Sequence, residues 1–221
     1  MRDGSRANGR FARLFCSLFV SLLSKSVQGW KKTGMENVRE RMVENPVIAA
    51  VKDGDGLEKA IRSDCETVFL LASTIMDVEQ LVGRLHAAGK LAVVHVDLVE
   101  GLGNREIAVD ALVRLCHPDG IISTRPALVR RARHLGLVTI QRAFILDSMS
   151  VTSLHSQLAV GKPDFIEILP GIMPRVITEI SQSTATPVIA GGLIKYKDEV
   201  VAAIRAGAVA ISTTCQAVWE M

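Results

Sequence analysis

From Pro46 onward, the sequence alternates eight short runs rich in β-branched residues with longer stretches of amphipathic, helix-like composition. This alternation is typical of βα units arranged around a parallel sheet. Because the runs are mostly apolar throughout, they predict strands whose two faces are both buried under helices. The predicted strands cover residues 46–51, 67–72, 91–97, 120–124, 137–142, 164–170, 187–192 and 208–213.

The residues between these runs mark where helices begin and end. Asp77, and Asp147 or Ser148, stand at positions where a side-chain oxygen would cap a helix. Gly89 and Gly161 stand where helices would end. Eight strands joined by right-handed crossovers favour closure into a barrel, although an open doubly wound sheet contains the same units. We therefore predict an α/β fold, a single (β/α)8 barrel of the TIM type with an N-terminal extension.

The first 41 residues differ in composition from the rest of the chain. They contain nine Lys and Arg residues against three acids, whereas residues 42–221 contain seventeen against twenty. The apolar run at 14–23 is too short to span a bilayer, and no signal-peptidase motif follows it. We expect residues 1–41 to be a disordered extension or a non-native start upstream of a true start at Met35 or Met42, and residues 42–221 to form the barrel. A signal peptide or an amphipathic surface anchor is the alternative for the apolar run.

The four cysteines lie far apart and form neither a CxxC motif nor a Cys/His group at metal-ligand spacing. They predict reduced thiols, no metal site and a cytoplasmic location. The predicted barrel is mildly acidic, so a surface for a polyanion would have to come from a local cluster of basic side chains. No membrane partner is expected for the barrel.

Polar residues gather at the predicted carboxyl ends of the strands, where this fold places its chemistry. The set comprises His95 and Asp97 on the third strand, Arg125 after the fourth, Arg142 on the fifth and Glu167 on the sixth. Side-chain alternation predicts that His95 and Asp97 point in the same direction. A lone carboxylate at Glu167 would be costly to bury unless Arg125, Arg142 or His95 approaches it. These residues predict a polar cup for a small hydroxylated ligand, with a structural ion-pair network as the alternative.

The ends of the last two predicted strands have the composition of a phosphate site. Gly191 and Gly192 remove side chains after the seventh strand, so that backbone N–H groups can approach an anion. Ser212 and Thr213 end the eighth strand and lead into a short helix. Barrels of this type commonly bind phosphate at this position. A glycine pair that serves only a tight turn is the alternative.

No catalytic residue is predicted. An enzyme acting on a sugar phosphate would commonly place a lysine for a Schiff base, or an acid and base pair, at the strand ends. Lys52 and Lys195 only follow the ends of the first and seventh strands, and are therefore imperfect candidates.

Six motifs in order give a specific resemblance to a known family. They are HVDL (95–98), GIISTR (120–125), IQRAFILD (140–147), IEILPG (166–171), AGGLI (190–194) and the closing ISTT (211–214) with Trp219. Together they resemble the glycerol uptake operon antiterminator regulatory proteins over about residues 45–220. The resemblance implies a barrel that binds glycerol 3-phosphate, and a regulator that acts on the leader of a nascent messenger RNA to prevent premature termination.

The resemblance also assigns roles to residues. The phosphate would be held by Gly191, Gly192, Ser212 and Thr213. The glycerol part would be surrounded by His95, Asp97, Arg125, Arg142, Glu167 and Gly171. No residue inherits a catalytic role, and glycerol 3-phosphate is the effector with no cofactor beside it. The alternative function is a phosphosugar-handling enzyme, an isomerase, lyase or synthase on the same barrel, and the chain is a possible homo-oligomer.

The densest basic cluster predicts where leader RNA would bind. Arg130, Arg131 and Arg133 lie in the predicted helix after the fourth strand. Helical spacing places Arg130 and Arg133 on one face together with His134, and Arg131 about 100° away. We predict that these arginines contact RNA phosphates. The alternative is an ordinary solvated helix face.

Overall fold

The computed structural model describes residues 34–221, with side chains from residue 37 onward. Eight parallel strands close into a barrel in which each strand pairs with its neighbours along the chain and the last pairs with the first. The strands are β1 (Val47–Val51), β2 (Thr67–Leu70), β3 (Leu91–His95), β4 (Gly120–Ser123), β5 (Val138–Phe144), β6 (Phe165–Leu169), β7 (Val188–Gly191) and β8 (Ala210–Thr213).

Each strand is followed by a helix, as the sequence predicts. The helices are α1 (Gly34–Glu44), which precedes the barrel, then α2 (Gly54–Arg62), α3 (Val78–Ala87), α4 (Glu106–Cys116), α5 (Pro126–His134), α6 (Ser148–Gly161), α7 (Pro174–Ser183), α8 (Lys197–Arg205) and α9 (Gln216–Trp219). The predicted (β/α)8 barrel is therefore confirmed, and the open doubly wound alternative is wrong. None of the described helices has the length and apolar character needed to cross a membrane.

Two boundaries differ from the predicted strands in ways that affect the mouth of the barrel. Strand β3 ends at His95, and Val96–Leu98 turns as a 3-10 helix. Strand β5 instead continues to Phe144, beyond the predicted end at residue 142. A two-stranded parallel ribbon, Ser73–Thr74 with Val99–Glu100, joins the loops after β2 and β3.

The apolar core has an inner part and an outer part. Alternate residues on the strands fill the barrel interior, and two further clusters lie between the sheet and its helices. The fully buried interior residues include Ile48, Phe69, Val93, Ile140, Phe165 and Ile189.

Helix α1 lies at the amino ends of the strands. Its Met42 is fully buried and packs with the interior residues. Arg39 forms an ion pair with Asp164, and Arg41 Nε lies 2.8 Å from Glu66 Oε2. The helix thus continues across residues 41 and 42, where the sequence analysis divides the extension from the barrel. That division of the chain stays a prediction. The apolar run at 14–23 lies outside the described residues.

Candidate ligand-binding site

The strand alternation places a layer of polar residues inside the barrel at its carboxyl end. The interior position two residues earlier on each strand is apolar, as in Val93 before His95 and Ile140 before Arg142. The other polar residues of this layer also follow an apolar interior residue by two positions, and every residue of the layer is buried. The upper interior layer consists of His95, Arg142, Glu167, Gly191 and Ser212.

Glu167 is the centre of this layer. Its side chain is fully buried, and Arg142 Nε donates a hydrogen bond to Glu167 Oε2 over 2.6 Å. Ser212 Oγ donates to the other oxygen, Oε1, over 2.5 Å. Charge-assisted hydrogen bonds of this kind offset the cost of burying a carboxylate. The expectation that a cation approaches Glu167 is met by Arg142.

Gly191 leaves room for this pair of oxygens. A Cβ atom at position 191 would lie 2.6 Å from Glu167 Oε1 and 2.8 Å from Ser212 Oγ, well inside van der Waals contact. The sequence suggested that Gly191 lets a backbone approach an anion. Among the described residues, the anionic group beside Gly191 is the carboxylate of Glu167.

Gly171 and Gly192 join the loops after β6 and β7. The Gly171 N–H donates to the carbonyl oxygens of Gly191 and Gly192 at 2.6 and 3.1 Å. A Cβ at Gly171 would lie 2.8 Å from the Gly191 nitrogen, so only glycine permits this approach. Gly192 has φ +75°, and the next residue, Leu193, has φ +63°. Leu193 adopts this left-handed conformation without the freedom of glycine, which costs on the order of 1 kcal/mol.

The hydroxyls of Ser212 and Thr213 already have partners within the protein. Ser212 donates to Glu167, and Thr213 Oγ1 donates to the Ile194 carbonyl over 2.6 Å. Thr213 Oγ1 also accepts the Cys215 N–H at 3.0 Å. These bonds tie the loop after β7 to the end of β8. An anion at this position would therefore meet mainly backbone groups.

His95 is a buried histidine that is not charged near neutral pH. Its side chain is 3% exposed, and Nδ1 has no hydrogen-bond partner among the described residues. Burial, reinforced by the nearby charge of Arg142 and partly opposed by Asp97, lowers the pKa of His95 to about 4. The site therefore presents a neutral imidazole with an unused polar atom, which is uncommon for a buried side chain.

Asp97 does not point in the direction predicted from strand alternation. Because β3 ends at His95, the 3-10 turn carries Asp97 toward the end of β4 instead. Its carboxylate accepts hydrogen bonds from Ser123 Oγ at 2.7 Å and from Thr124 N at 2.6 Å. Thr124 Oγ1 also donates to it, over 2.7 Å. The prediction that His95 and Asp97 share one direction is wrong, since alternation holds only while the strand continues.

Arg125 stands at the rim of the same opening. Its side chain is about half exposed, and its Nε lies 3.9 Å from Asp97 Oδ1. It is therefore a loosely held cation between the end of β4 and the solvent. Arg125 does not pair with Glu167.

A cavity that the sequence analysis did not predict lies beside the mouth. It has a volume of about 460 Å³ and lies between the loop after β1 and the short ribbon after β2. Its polar lining includes Lys52, Asp53, Thr74, Asp77 and Glu100. The ribbon that encloses it consists of two-residue strands, which carry no recognisable sequence pattern.

The arginines of α5 are paired with acidic residues. Arg130 lies 2.7 Å from Glu106, and Arg131 Nε donates to Asp110 Oδ2 over 3.0 Å. The hydrogen bond from Arg131 also holds the pKa of the Asp110 carboxyl below its usual range.

On the other side of the helix, Arg133 Nη1 lies 2.8 Å from Asp164 and 2.9 Å from the Lys162 carbonyl oxygen. Arg130 and Arg133 therefore turn toward opposite neighbours, and local acids offset much of the positive charge of this cluster. Across the described residues, no group of three or more His, Cys, Asp or Glu side chains is arranged to hold a metal ion.

Comparisons with known proteins agree with the fold and with the motifs. A family profile described as glycerol-3-phosphate responsive antiterminator matches residues 47–219. The uncharacterized protein YgcP of Escherichia coli (strain K12) is 43% identical over 178 residues, which are 80% of this chain and 93% of that protein.

Two solved structures of similar proteins align over most of the chain. The glycerol uptake operon antiterminator regulatory protein from Listeria monocytogenes aligns with a TM-score of 0.76 at 35% identity, covering 78% of this chain and 94% of that one. A glycerol uptake operon antiterminator-related protein from Thermotoga maritima aligns with a TM-score of 0.70 at 30% identity, covering 80% and 99%. Aldolase barrels at 13 to 14% identity share the fold alone.

Proposed function

Because this chain belongs to the family of glycerol-3-phosphate responsive antiterminators, we propose that it binds glycerol 3-phosphate in the mouth of its barrel and regulates transcription antitermination through leader RNA. The single observation that carries the ligand part is the buried polar layer beneath the loop after β7. A buried layer of this kind recognises a small polar molecule in preference to solvent.

The glycerol part would lie against His95 and Arg142. The free Nδ1 of His95 would exchange a hydrogen bond with a ligand hydroxyl. Arg142 uses Nε for Glu167, and its two Nη atoms have no hydrogen-bond partner between residues 37 and 221. These donors suit the hydroxyl oxygens of glycerol or the phosphoryl oxygens of its ester. Arg125, at the rim, adds a half-exposed positive charge.

The phosphate would lie on the loop after β7. Gly192 and Leu193 are both left-handed there, and the Gly192 N–H reaches the Ser212 carbonyl only over a long 3.4 Å bond. Strained backbone of this kind is often found at ligand sites. The predicted roles of Ser212 and Thr213 then change, because their hydroxyls support the loop while its backbone N–H groups meet the phosphate.

A binding role is favoured over the enzyme alternative by the state of Glu167. Both of its oxygens are held, one by Arg142 and one by Ser212, so the carboxylate is an anchored acceptor and not a free base. The upper interior layer holds no lysine that would form a Schiff base, which the aldolases of the Schiff-base type require. We expect the protein to act in the cytoplasm, where nascent transcripts are made, and to need no cofactor.

Thermal unfolding with added ligands tests this proposal. At a concentration about a hundredfold over Kd, glycerol 3-phosphate would stabilise the fold by roughly 2.7 kcal/mol. For a chain of this size that corresponds to a rise in Tm of about 5 to 10 °C. Glycerol and inorganic phosphate, each lacking half of the contacts, are expected to give much smaller rises. An unchanged Tm with millimolar glycerol 3-phosphate would show that the protein does not bind this ligand.

A further inference from the structure

The described aromatic side chains divide sharply by position. Phe69, Phe165 and Trp219 are buried in the core, whereas Phe144 is 53% exposed and Tyr196 is 65% exposed. Both exposed rings lie at the mouth of the barrel, Phe144 at the end of β5 and Tyr196 in the loop after β7. Aromatic rings are enriched at interaction surfaces, and exposed apolar side chains that form one patch commonly mark such a surface.

Further exposed apolar side chains lie on the loops that carry the two rings and on the loop between them. The loops after β5, β6 and β7 are joined by backbone hydrogen bonds, from Ile145 N to the Leu169 carbonyl and from Gly171 N to the Gly191 carbonyl. We call the surface formed by residues 144–149, 170–175 and 192–197 the β5–β7 rim. Its other exposed apolar side chains are Leu146, Met149, Ile172 and Leu193.

Basic side chains flank this apolar surface, and acidic ones lie mostly elsewhere. Arg175 and Lys195 are exposed on the β5–β7 rim itself. Its acid Asp147 caps α6 by accepting the Ser150 N–H. The loops after β1, β2 and β3, on the other side of the mouth, contain the acids Asp53, Asp77, Asp97 and Glu100 beside the basic residues Lys52 and Arg105. Basic side chains therefore outnumber acidic ones on the β5–β7 rim and not on the opposite side of the mouth, so a polyanion would be drawn to the rim.

We propose that the β5–β7 rim is the surface that binds single-stranded RNA, with bases stacked on Phe144 and Tyr196 and phosphates contacted by Arg175 and Lys195. Exposed rings beside basic side chains are the combination by which proteins hold unpaired nucleotides. The inference rests on the proposed function, since it names the surface for the RNA partner. It replaces the α5 arginines as the principal contact, because those arginines are paired with Glu106, Asp110 and Asp164.

The position of this surface also links it to the ligand. Lys195 and Tyr196 follow directly on the loop that is proposed to hold the phosphate, and their N–H groups are held by Glu199 at 2.7 and 3.0 Å. A phosphate bound at Gly192 would stabilise one conformation of this loop and so fix where Tyr196 and Lys195 stand. Bound ligand would then change the affinity for RNA, and bound RNA would change the affinity for ligand by the same factor.

The test measures binding of a fluorescein-labelled 20-nucleotide oligouridylate by anisotropy, at 50 and 200 mM salt. The double variant Phe144→Ala/Tyr196→Ala is expected to lose about tenfold or more in affinity, with the salt dependence unchanged, since stacking carries roughly 1 to 3 kcal/mol per base. The double variant Arg175→Ala/Lys195→Ala is expected to lower the log–log salt slope by about 1.4, at about 0.7 for each phosphate contact.

Two controls make the result specific. Ile107→Ala/Val160→Ala removes apolar side chains that are equally exposed but lie on the outer helices α4 and α6. Arg130→Ala/Arg131→Ala/Arg133→Ala removes more charge than the rim variant does. Both controls are expected to bind the oligonucleotide nearly as the unchanged protein does, and all variants should keep the Tm rise with glycerol 3-phosphate.

The outcomes separate this inference from the proposed function. Loss of RNA affinity in the rim variants, with the controls unaffected, supports the surface. If the α5 variant loses affinity and the rim variants do not, RNA binds at α5 and the inference is wrong while the function stands. If the unchanged protein binds no RNA but still binds glycerol 3-phosphate, the proposal that RNA is a partner is wrong, and this inference is wrong with it. If the rim variants alter self-association in sedimentation and not RNA binding, the rim is a contact between two copies of this chain, and the inference is wrong.

Discussion

Arg142 and Glu167, on the neighbouring strands β5 and β6, form a buried ion pair across the top of the barrel interior, with 2.6 Å between Nε and Oε2. The pair closes the apolar core and at the same time forms the floor of the proposed ligand site. Its two members are side by side in the sheet register, so the pairing follows directly from the closed barrel. In the proposed function, stability and ligand binding would therefore depend on the same contact.

Replacing one member of this pair is expected to cost more than replacing both. Glu167→Leu leaves the charge of Arg142 buried without a partner, and should lower the free energy of unfolding by about 3 to 5 kcal/mol. The double variant Glu167→Leu/Arg142→Met should recover part of that loss, because an apolar pair of similar volume needs no charge compensation. Urea denaturation of the three proteins gives the comparison. A single variant that loses under 1 kcal/mol would show that the pair is not buried as described.

Gly191 is expected to tolerate no side chain. Gly191→Ala would push a Cβ into Glu167 Oε1 and Ser212 Oγ, and should lower the free energy of unfolding by roughly 1 to 3 kcal/mol. Gly83→Ala is the matched control, since nothing lies within 4 Å of its Cβ position on α3. That change should raise stability by up to about 1 kcal/mol, through helix propensity. Equal Tm values for the two variants would contradict the close approach at position 191.

The pH dependence of stability reports on His95. Its pKa is about 4 in the folded protein and about 6.5 in the unfolded chain, so the unfolded chain takes up a proton first as the pH falls. The contribution of His95 is complete above about pH 6.5 and is lost progressively toward pH 4. Between pH 7.5 and 4.5 it amounts to about 2 to 3 kcal/mol. His95→Gln should lose correspondingly less over this interval in urea denaturation, and identical losses would place the imidazole in contact with water.

The N-terminal boundary gives a fourth expectation. A chain that begins at Met35 keeps nearly all of α1 and should fold and bind ligand as the full chain does. A chain that begins at Met42 keeps the buried Met42 but lacks Arg39 and Arg41, which pair with Asp164 and Glu66. It should still fold, with a lower Tm, because Asp164 remains paired with Arg133. Circular dichroism melting distinguishes the two, and failure of the Met35 chain to fold would show that earlier residues support the barrel.

The barrel itself was predictable from sequence, because its signal is repeated eight times. Continuous apolar runs, separated by residues that start and stop helices, determine both the strands and their burial. The need for a partner at Glu167 was also predictable, since a carboxylate within FIEIL requires a cation. The sequence left Arg125, Arg142 and His95 as candidates, and the strand register selects Arg142.

Other features of the site could not be predicted, because they depend on contacts between residues distant in sequence or on where a strand stops. Asp97 points toward the end of β4 because β3 ends at His95, two residues before its predicted end. No local sequence pattern marks that end. The α5 arginines looked free because their partners lie on α4 and before β6. The hydroxyls of Ser212 and Thr213 looked available because Glu167 and the Ile194 carbonyl approach them only in the folded barrel.

Binding of glycerol 3-phosphate at the loop after β7 is tested most directly by calorimetric titration. The ligand is titrated into the unchanged protein, into Gly192→Asp and into Gly89→Asp. Both glycines are left-handed, with φ of +75° and +73°, so both substitutions strain the backbone. A Cβ at position 192 would also lie 3.1 Å from Leu169 Cδ2, so the Tm of each variant is measured beside its affinity. Only position 192 lies on the proposed phosphate loop, where a carboxylate would repel the ligand. We expect the unchanged protein and Gly89→Asp to bind glycerol 3-phosphate, and Gly192→Asp not to bind it. Equal affinity in all three proteins would contradict this expectation.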